Sequence, residues 1–290
     1  MLFTEGGVMN SILEPLRPAL DALDITSWNG LGTSAWITGA GIHTGAQTRV
    51  RFIRAPLEPV RLLSAGTEIP LVAENVVNTV RATEIGVHGH NVSTIEHLLA
   101  ALYVMGHWSG FLIEIDGPEI PILDGSGIGW AYALRDVAPE PVLSALEPRF
   151  ETAVEVRGGY VGLESLKADE PMRITFTVGY SHPSIGEQSW SGVRRDWQRL
   201  LNARTFGFQN ELERLMAQGK GMGFNGENAV VFGEGGTNMP LRGADEPVRH
   251  KALDLLGDLY LVGRPLNAHV VAERASHEAH VAFALALRGK

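Results

Sequence analysis

His250 and Asp254 stand four residues apart, and Asp258 follows four further on, in a stretch from 248 to 262 whose apolar residues recur at helical spacing. Positions i, i+4 and i+8 share one helix face. An imidazole and a carboxylate one turn apart can hold a divalent ion between them. They can equally form a surface pair that only stabilises the helix. A distant segment favours the metal. Leu102-Tyr103-Val104-Met105-Gly106 matches Leu259-Tyr260-Leu261-Val262-Gly263, and the same offset of 157 carries His97 onto Asp254. The chain has no cysteine, so a zinc site must be built from histidine and carboxylate. Three such ligands leave a position open for water. Iron(II) accepts the same donor set, so ligand type alone does not choose between Zn2+ and Fe2+.

Glu96 precedes His97. Neighbours on a helix point about 100° apart, so both cannot simply ligate one ion. A carboxylate beside a metal site is well placed as a general base. Ser93-Thr94-Ile95-Glu96 also fits a capping box, with Glu96 bonding the amide of Ser93. His277 follows a strand and could serve as a general acid oriented by Asp258. His43 lies in a glycine-flanked turn and has the same ambiguity between a functional and a surface role. His88, His90, His107, His182, His269 and His280 fall in no comparable constellation. Gly219-Lys220-Gly221-Met222-Gly223 follows a helix and lacks a Gly-Lys-Ser/Thr ending, so it reads as a flexible turn, not a phosphate loop.

The elements that must position these groups are strands and helices mixed along the whole chain. Helices are expected at 94–105, 197–202, 210–217, 248–262 and 278–287. Strands are expected at 50–53, 60–63, 111–115, 150–156, 172–178, 229–232 and 268–272. Residues 1–32 read as an N-terminal extension with one short amphipathic helix. The Pro-rich stretch from 138 to 148 reads as a linker. The expected fold is α+β: two similar domains, 33–140 and 149–290, each a β-sheet packed on helices, with the site between them.

Composition excludes several classes. Lys and Arg total 24 against 33 Asp and Glu, a net charge of −9, which argues against nucleic-acid binding through bulk electrostatics. Acidic residues interrupt the N-terminus, so no signal peptide is expected. No apolar run approaches the ~18 residues of a membrane span. A cytoplasmic protein with at most peripheral membrane contact is expected.

The landmarks together resemble a known family. They are Gly41-Ile42-His43-Thr44-Gly45, Val92-Ser93-Thr94-Ile95-Glu96-His97-Leu98, Asp116 through Ser126, Ala203-Arg204-Thr205-Phe206-Gly207-Phe208 and Arg249-His250-Lys251-Ala252-Leu253-Asp254, in that order. From about Thr33 to Leu287 the chain resembles the UDP-3-O-acyl-N-acetylglucosamine deacetylases, zinc amidases of lipid A biosynthesis. The resemblance implies that His97, His250 and Asp254 bind zinc and that Glu96 is the general base. It implies His277 as general acid or oxyanion-stabilising cation, Asp258 as its orienting partner and Thr205 as a donor to the carbonyl oxygen. Lys251, Phe206 and His43 would contact an acylated UDP-sugar substrate. Residues 207–231 would form a hydrophobic passage for the acyl chain. A monomer is expected. Tyr160 stands where the family often carries a basic residue, and this keeps a zinc amidase of another N-acyl sugar, or a non-catalytic binding protein, as alternatives.

Overall fold

The computed structural model describes residues 32–135, 144–148, 152–164, 166 and 170–289. The expected N-terminal helix and most of the expected linker lie outside these residues.

The first half begins with β1 (Ile37–Ala40), β2 (Gln47–Pro59), β3 (Arg61–Ser64) and β4 (Thr67–Pro70). A small antiparallel sheet follows, made of β5 (Val76–Asn78), β6 (Glu84–Val87) and β7 (His90–Val92). Then come helix α1 (Glu96–Met105), strand β8 (Ser109–Asp116) and helix α2 (Ile128–Leu134). The main sheet has the order β1-β2-β8-β3-β4. Strand β8 is antiparallel to β2 and parallel to β3. Alternation explains its place: Phe111, Ile113 and Ile115 are buried, while Glu114 and Asp116 stand directly across from Arg51 and Arg49 of β2 and pair with them.

The second half runs through β9 (Ala153–Val156), β10 (Gly159–Glu164), β11 (Arg173–Gly179) and β12 (Glu187–Val193). Helix α3 (Gln198–Leu201), β13 (Phe206–Phe208), helix α4 (Gln209–Ala217), β14 (Val230–Gly233) and β15 (Gly236–Thr237) come next. Helix α5 (Glu246–Leu259), β16 (His269–Glu273) and helix α6 (His277–Arg288) close it. The large sheet is β9-β10-β16-β11-β12, with β16 antiparallel to β10 and parallel to β11. Strand for strand this is the topology of the first half, with β8 and β16 as the centres. The repeat seen between two helices therefore extends to both sheets. Each half also carries its additional elements between its fourth sheet strand and its central helix.

The expected elements are present with modest shifts at their ends. Ten others among the described residues were not among them: β1, β4, β5, β6, β7, β10, β12, β13, β15 and α2. Strand β12 is one example. Its Gln188, Ser189, Ser191 and Gly192 give no apolar alternation, and it is held by pairing with β11, including hydroxyl contacts Thr175–Ser191 and Thr177–Ser189.

Helices α1 and α5 pack on each other, while α5 also packs on β11 and α6 on β9 and β10. All ten residues of α1 are buried, Glu96 and His97 included, so this helix is apolar nearly all round because protein covers every face. Gly106 ends it in the left-handed conformation that glycine tolerates. Gly257 of α5 faces α1 so closely that a Cβ would collide with the carbonyl oxygen of Glu96. The helix approach that brings the polar residues together thus requires a glycine there.

Candidate metal centre and active site

Three expected ligands converge where α1 meets α5. One ligand atom from each of His97, His250 and Asp254 lies within 4.8 Å of the others. The Nε2 atoms of His250 and His97 are 3.3 and 3.7 Å from Asp254 Oδ1. The two imidazoles meet edge to face at 5.0 Å. His250 Nδ1 lies 3.1 Å from the carbonyl oxygen of Ala203, an acceptor only, which puts the proton on Nδ1 and leaves the Nε2 lone pair facing the cluster. Burial pushes the His250 pKa down to about 4, so the ring is neutral near pH 7.

Asp254 Oδ1 is buried and accepts no hydrogen bond. Such an orphan anionic oxygen is costly unless something positive meets it. Its partner Oδ2 accepts from Lys251 Nζ at 2.6 Å. Burial opposes a charge on Asp254, but His250 and Lys251 outweigh it and hold the carboxyl well below the usual carboxylate range. An orphan anionic oxygen facing the Nε2 atoms of two imidazoles fits a divalent cation.

Glu96 is also buried, and its Oε2 accepts the amide of Thr83 at 3.0 Å. The capping-box alternative fails. The Ser93 amide donates to Pro118 instead, no side chain caps α1, and Thr94 sits in the left-handed region at φ 58°. Burial raises the Glu96 pKa above its ordinary value, against the pull of His277 and His97. A carboxylate with a raised pKa is a better proton acceptor than an ordinary one.

His277 opens α6, and its Nδ1 lies 2.8 Å from Asp258 Oδ2. Burial alone would lower its pKa, but Asp258, Glu96 and Asp254 together push it up to about 9. Asp258 falls to about 2, burial being outweighed by His277 and His280. His280, unassigned from sequence, also lies 2.8 Å from Asp258 Oδ2 through Nδ1. Its spacing of three from His277 on one helix is the signal that could have found it. Asp258, His277 and His280 also bring ligand-type atoms within 4.8 Å of one another. Both rings already direct Nδ1 at the carboxylate, so the cluster is internally satisfied there and suits orientation.

A cavity of about 520 Å³ opens on these groups. His43, Thr205, Phe206 and Lys251 line it, so every expected site residue is on or directly behind one wall. Asp258 is the one behind, reaching the cavity through His277. The His43 turn is fixed by Glu119, whose carboxylate accepts from the amides of His43 and Thr44 and from the hydroxyls of Thr44 and Thr94. The glycine-rich turn near Lys220 packs against it, with the Met222 and Gly223 amides donating to the carbonyls of His43 and Ile42. Phe208, Leu212, Leu215, Phe224 and Val231 add apolar side chains to the same lining. Arg81 and Arg274 also line the cavity and were not singled out from sequence. Arg81 bridges to Glu211 of α4 and so ties the first half's small sheet to the second half's additional elements.

Fold and site together define a class: a duplicated α+β fold enclosing a His₂Asp cluster beside a buried carboxylate, as a metal-dependent hydrolase requires. The chain belongs to the UDP-3-O-acyl N-acetylglycosamine deacetylase family, LpxC, whose family model matches residues 29–288. It is 39% identical over 277 residues to the UDP-3-O-acyl-N-acetylglucosamine deacetylase of Thermosynechococcus vestitus, covering 88% of this chain and 92% of that one. It is 37% identical over 264 residues to the enzyme of the same name from Solibacter usitatus, covering 87% and 88%. The Nostoc enzyme of that name is 37% identical over 262 residues, covering 85% and 93%.

Proposed function

We propose that this protein hydrolyses the N-acetyl group of UDP-3-O-(3-hydroxyacyl)-N-acetylglucosamine, giving acetate and the free 2-amino sugar nucleotide, in lipid A biosynthesis. The observation that carries the reading is the meeting of a His₂Asp cluster, the Glu96 carboxylate and the His277–Asp258 pair at a cavity that Phe208, Leu212, Leu215, Phe224 and Val231 also line. The polar groups suit an amide and the apolar side chains an acyl chain.

His97, His250 and Asp254 would hold Zn2+, with Fe2+ as the alternative ion. When bound there, the ion supplies Lewis acidity toward the amide carbonyl and toward a water molecule. Glu96 accepts the proton of the attacking water as its oxygen bonds to the acetyl carbon. The Thr205 side chain, on the cavity wall, donates to the carbonyl oxygen as charge develops on it. Collapse breaks the C–N bond, and the departing nitrogen takes a proton from His277 or Glu96. Asp258 keeps the His277 proton on Nδ1, which turns Nε2 toward the reacting groups. His43, Lys251 and Phe206 bind the sugar nucleotide. The 207–231 segment receives the acyl chain.

No helix among the described residues is long and apolar enough to cross a membrane. The test is acetate release from UDP-3-O-(3-hydroxyacyl)-N-acetylglucosamine by zinc-loaded protein, with the unacylated sugar nucleotide alongside. Turnover that needs the acyl chain supports the assignment. Equal turnover of both substrates transfers the protein to another N-acyl sugar, and none with zinc bound leaves a binding protein.

A further inference from the structure

Thr83 lies just before β6, outside both central helices and outside every motif legible in the sequence. It is completely buried. Each of its polar atoms meets the site. Its amide donates to Glu96 Oε2 at 3.0 Å. Its hydroxyl donates to Asp258 Oδ1 at 2.6 Å and lies 3.2 Å from His277 Nδ1. Its carbonyl accepts the Ile95 amide at the start of α1, 3.3 Å away. One residue at the entry to the small sheet therefore touches the carboxylate offered by the first half and the carboxylate–imidazole pair offered by the second.

The direction of the hydroxyl proton follows from the acceptors. Ionised Asp258 can only accept, so at 2.6 Å the proton points to Oδ1 and the bond is charge-assisted. Oδ2 is used by His277 and His280, both at 2.8 Å. Without the hydroxyl, Oδ1 would have no donor from this side, and the carboxylate could rotate toward its two histidines. The ring of His277 would then lose the fixed partner that sets its tilt.

We propose that Thr83 is a positioning residue for the hydrolysis: its hydroxyl fixes the Asp258 carboxylate, and through it the His277 ring, in register with the Glu96 carboxylate that the same residue holds by its amide. This rests on the roles given above to Glu96, Asp258 and His277.

The test compares Thr83→Val, which keeps the branched shape and removes the hydroxyl, with Thr83→Ser, which keeps the hydroxyl. In zinc-loaded protein Thr83→Val lowers kcat by about 10- to 100-fold, with KM within about twofold and bound zinc unchanged. Thr83→Ser restores kcat to within about threefold of the parent. In a His277→Ala background Thr83→Val has little further effect, because both changes act through one group. Wild-type kcat in Thr83→Val, an equal loss in both variants, or a loss confined to KM overturns the proposal.

A second measurement does not need substrate. In zinc-loaded protein labelled with 15N-histidine, the Nδ1 proton of His277 is assigned by its disappearance in His277→Gln. Its exchange with solvent accelerates at least about tenfold in Thr83→Val and stays at the parent rate in Thr83→Ser. Unchanged exchange in Thr83→Val overturns the proposal. If the parent protein releases no acetate, the functional reading fails while this measurement still decides the role of Thr83.

Discussion

The two halves share a topology but divide the chemistry unequally. At equivalent positions His97 stands opposite Asp254, and the two side chains meet. Elsewhere the equivalence breaks. His250 corresponds to Ser93, whose backbone pairs with Pro118 and Ile120, and Asp258 corresponds to Ala101, an apolar core residue. Glu96 corresponds to Leu253, also core. One half thus offers the candidate base and one candidate ligand. The other offers two candidate ligands and the candidate acid with its orienting partner. What stayed symmetric is the scaffold. Tyr103 and Tyr260 are equivalent, and each reaches into the other half: Tyr103 Oη accepts the Leu266 amide, and Tyr260 Oη donates to the His107 carbonyl. Duplication supplies a rigid seam, and unequal substitution along the seam supplies a site.

If the second half carries most of the ion's affinity, removing its charged ligand should cost more than removing the single ligand of the first half. In Asp254→Ala the protein retains no metal after dialysis, and acetate release falls below detection. His97→Ala leaves the His250/Asp254 pair on one helix and keeps weak binding. A tetrahedral zinc site is worth about 10–16 kcal/mol over four ligands, so an average ligand is worth about 2.5–4 kcal/mol, or roughly 60- to 700-fold in affinity. Zinc titration of both variants checks this. Equal affinities for the two would break the comparison.

Glu96→Gln tests the first half's other contribution. It keeps the side-chain shape and the acceptor for the Thr83 amide, and removes the proton acceptor. The expected result is full metal content with kcat lowered about 10²- to 10⁴-fold. A variant that loses zinc along with activity would show that Glu96 serves the ion and not the water.

The candidate metal cluster was legible because its residues sit at helical spacing on elements that repeat. Helix periodicity fixes which side chains share a face, and the offset of 157 joins the two faces. The rest depended on contacts between residues remote in sequence. Thr83 lies 175 positions from Asp258, and no local pattern links them. Glu96 as a helix cap was a sound local alternative that tertiary contact overrode, because the chain before α1 turns through the left-handed Thr94 to reach Glu119. His280 was obscured by starting the last helix one residue late, which took His277 off the helix and hid the i, i+3 pair.

Gly257 and Ala100 sharpen the comparison at the seam, because they are equivalent positions with opposite needs. Gly257→Ala gains about 1 kcal/mol of helix propensity but drives a methyl into the Glu96 carbonyl, for a net loss of about 1–3 kcal/mol. It should also lower kcat, since the backbone that moves carries Glu96, the proposed base. Ala100→Gly should cost about 1 kcal/mol by propensity and leave kcat nearly unchanged. Denaturant midpoints and steady-state rates on the two variants check both statements. A neutral Gly257→Ala would mean that the close approach is not required.

The smallest effect expected is the pH response of His107, which sits beside the seam and is nearly inaccessible to solvent. Burial lowers its pKa from 6.5 to about 4, with the Leu134 carbonyl pulling slightly the other way. The sign follows from which state binds the proton first. The unfolded chain protonates near 6.5 while the folded ring stays neutral, so stability is complete above 6.5 and declines as pH falls toward 4. At pH 5.5 the loss from this one group is about 1 kcal/mol relative to pH 7. His107→Phe removes the linkage and keeps a flat ring in the pocket beside Phe111. Unfolding midpoints at pH 7 and 5.5 should therefore differ less in the variant than in the parent. The same difference in both would show that the ring is solvated, and that the seam opens there more readily than its packing implies.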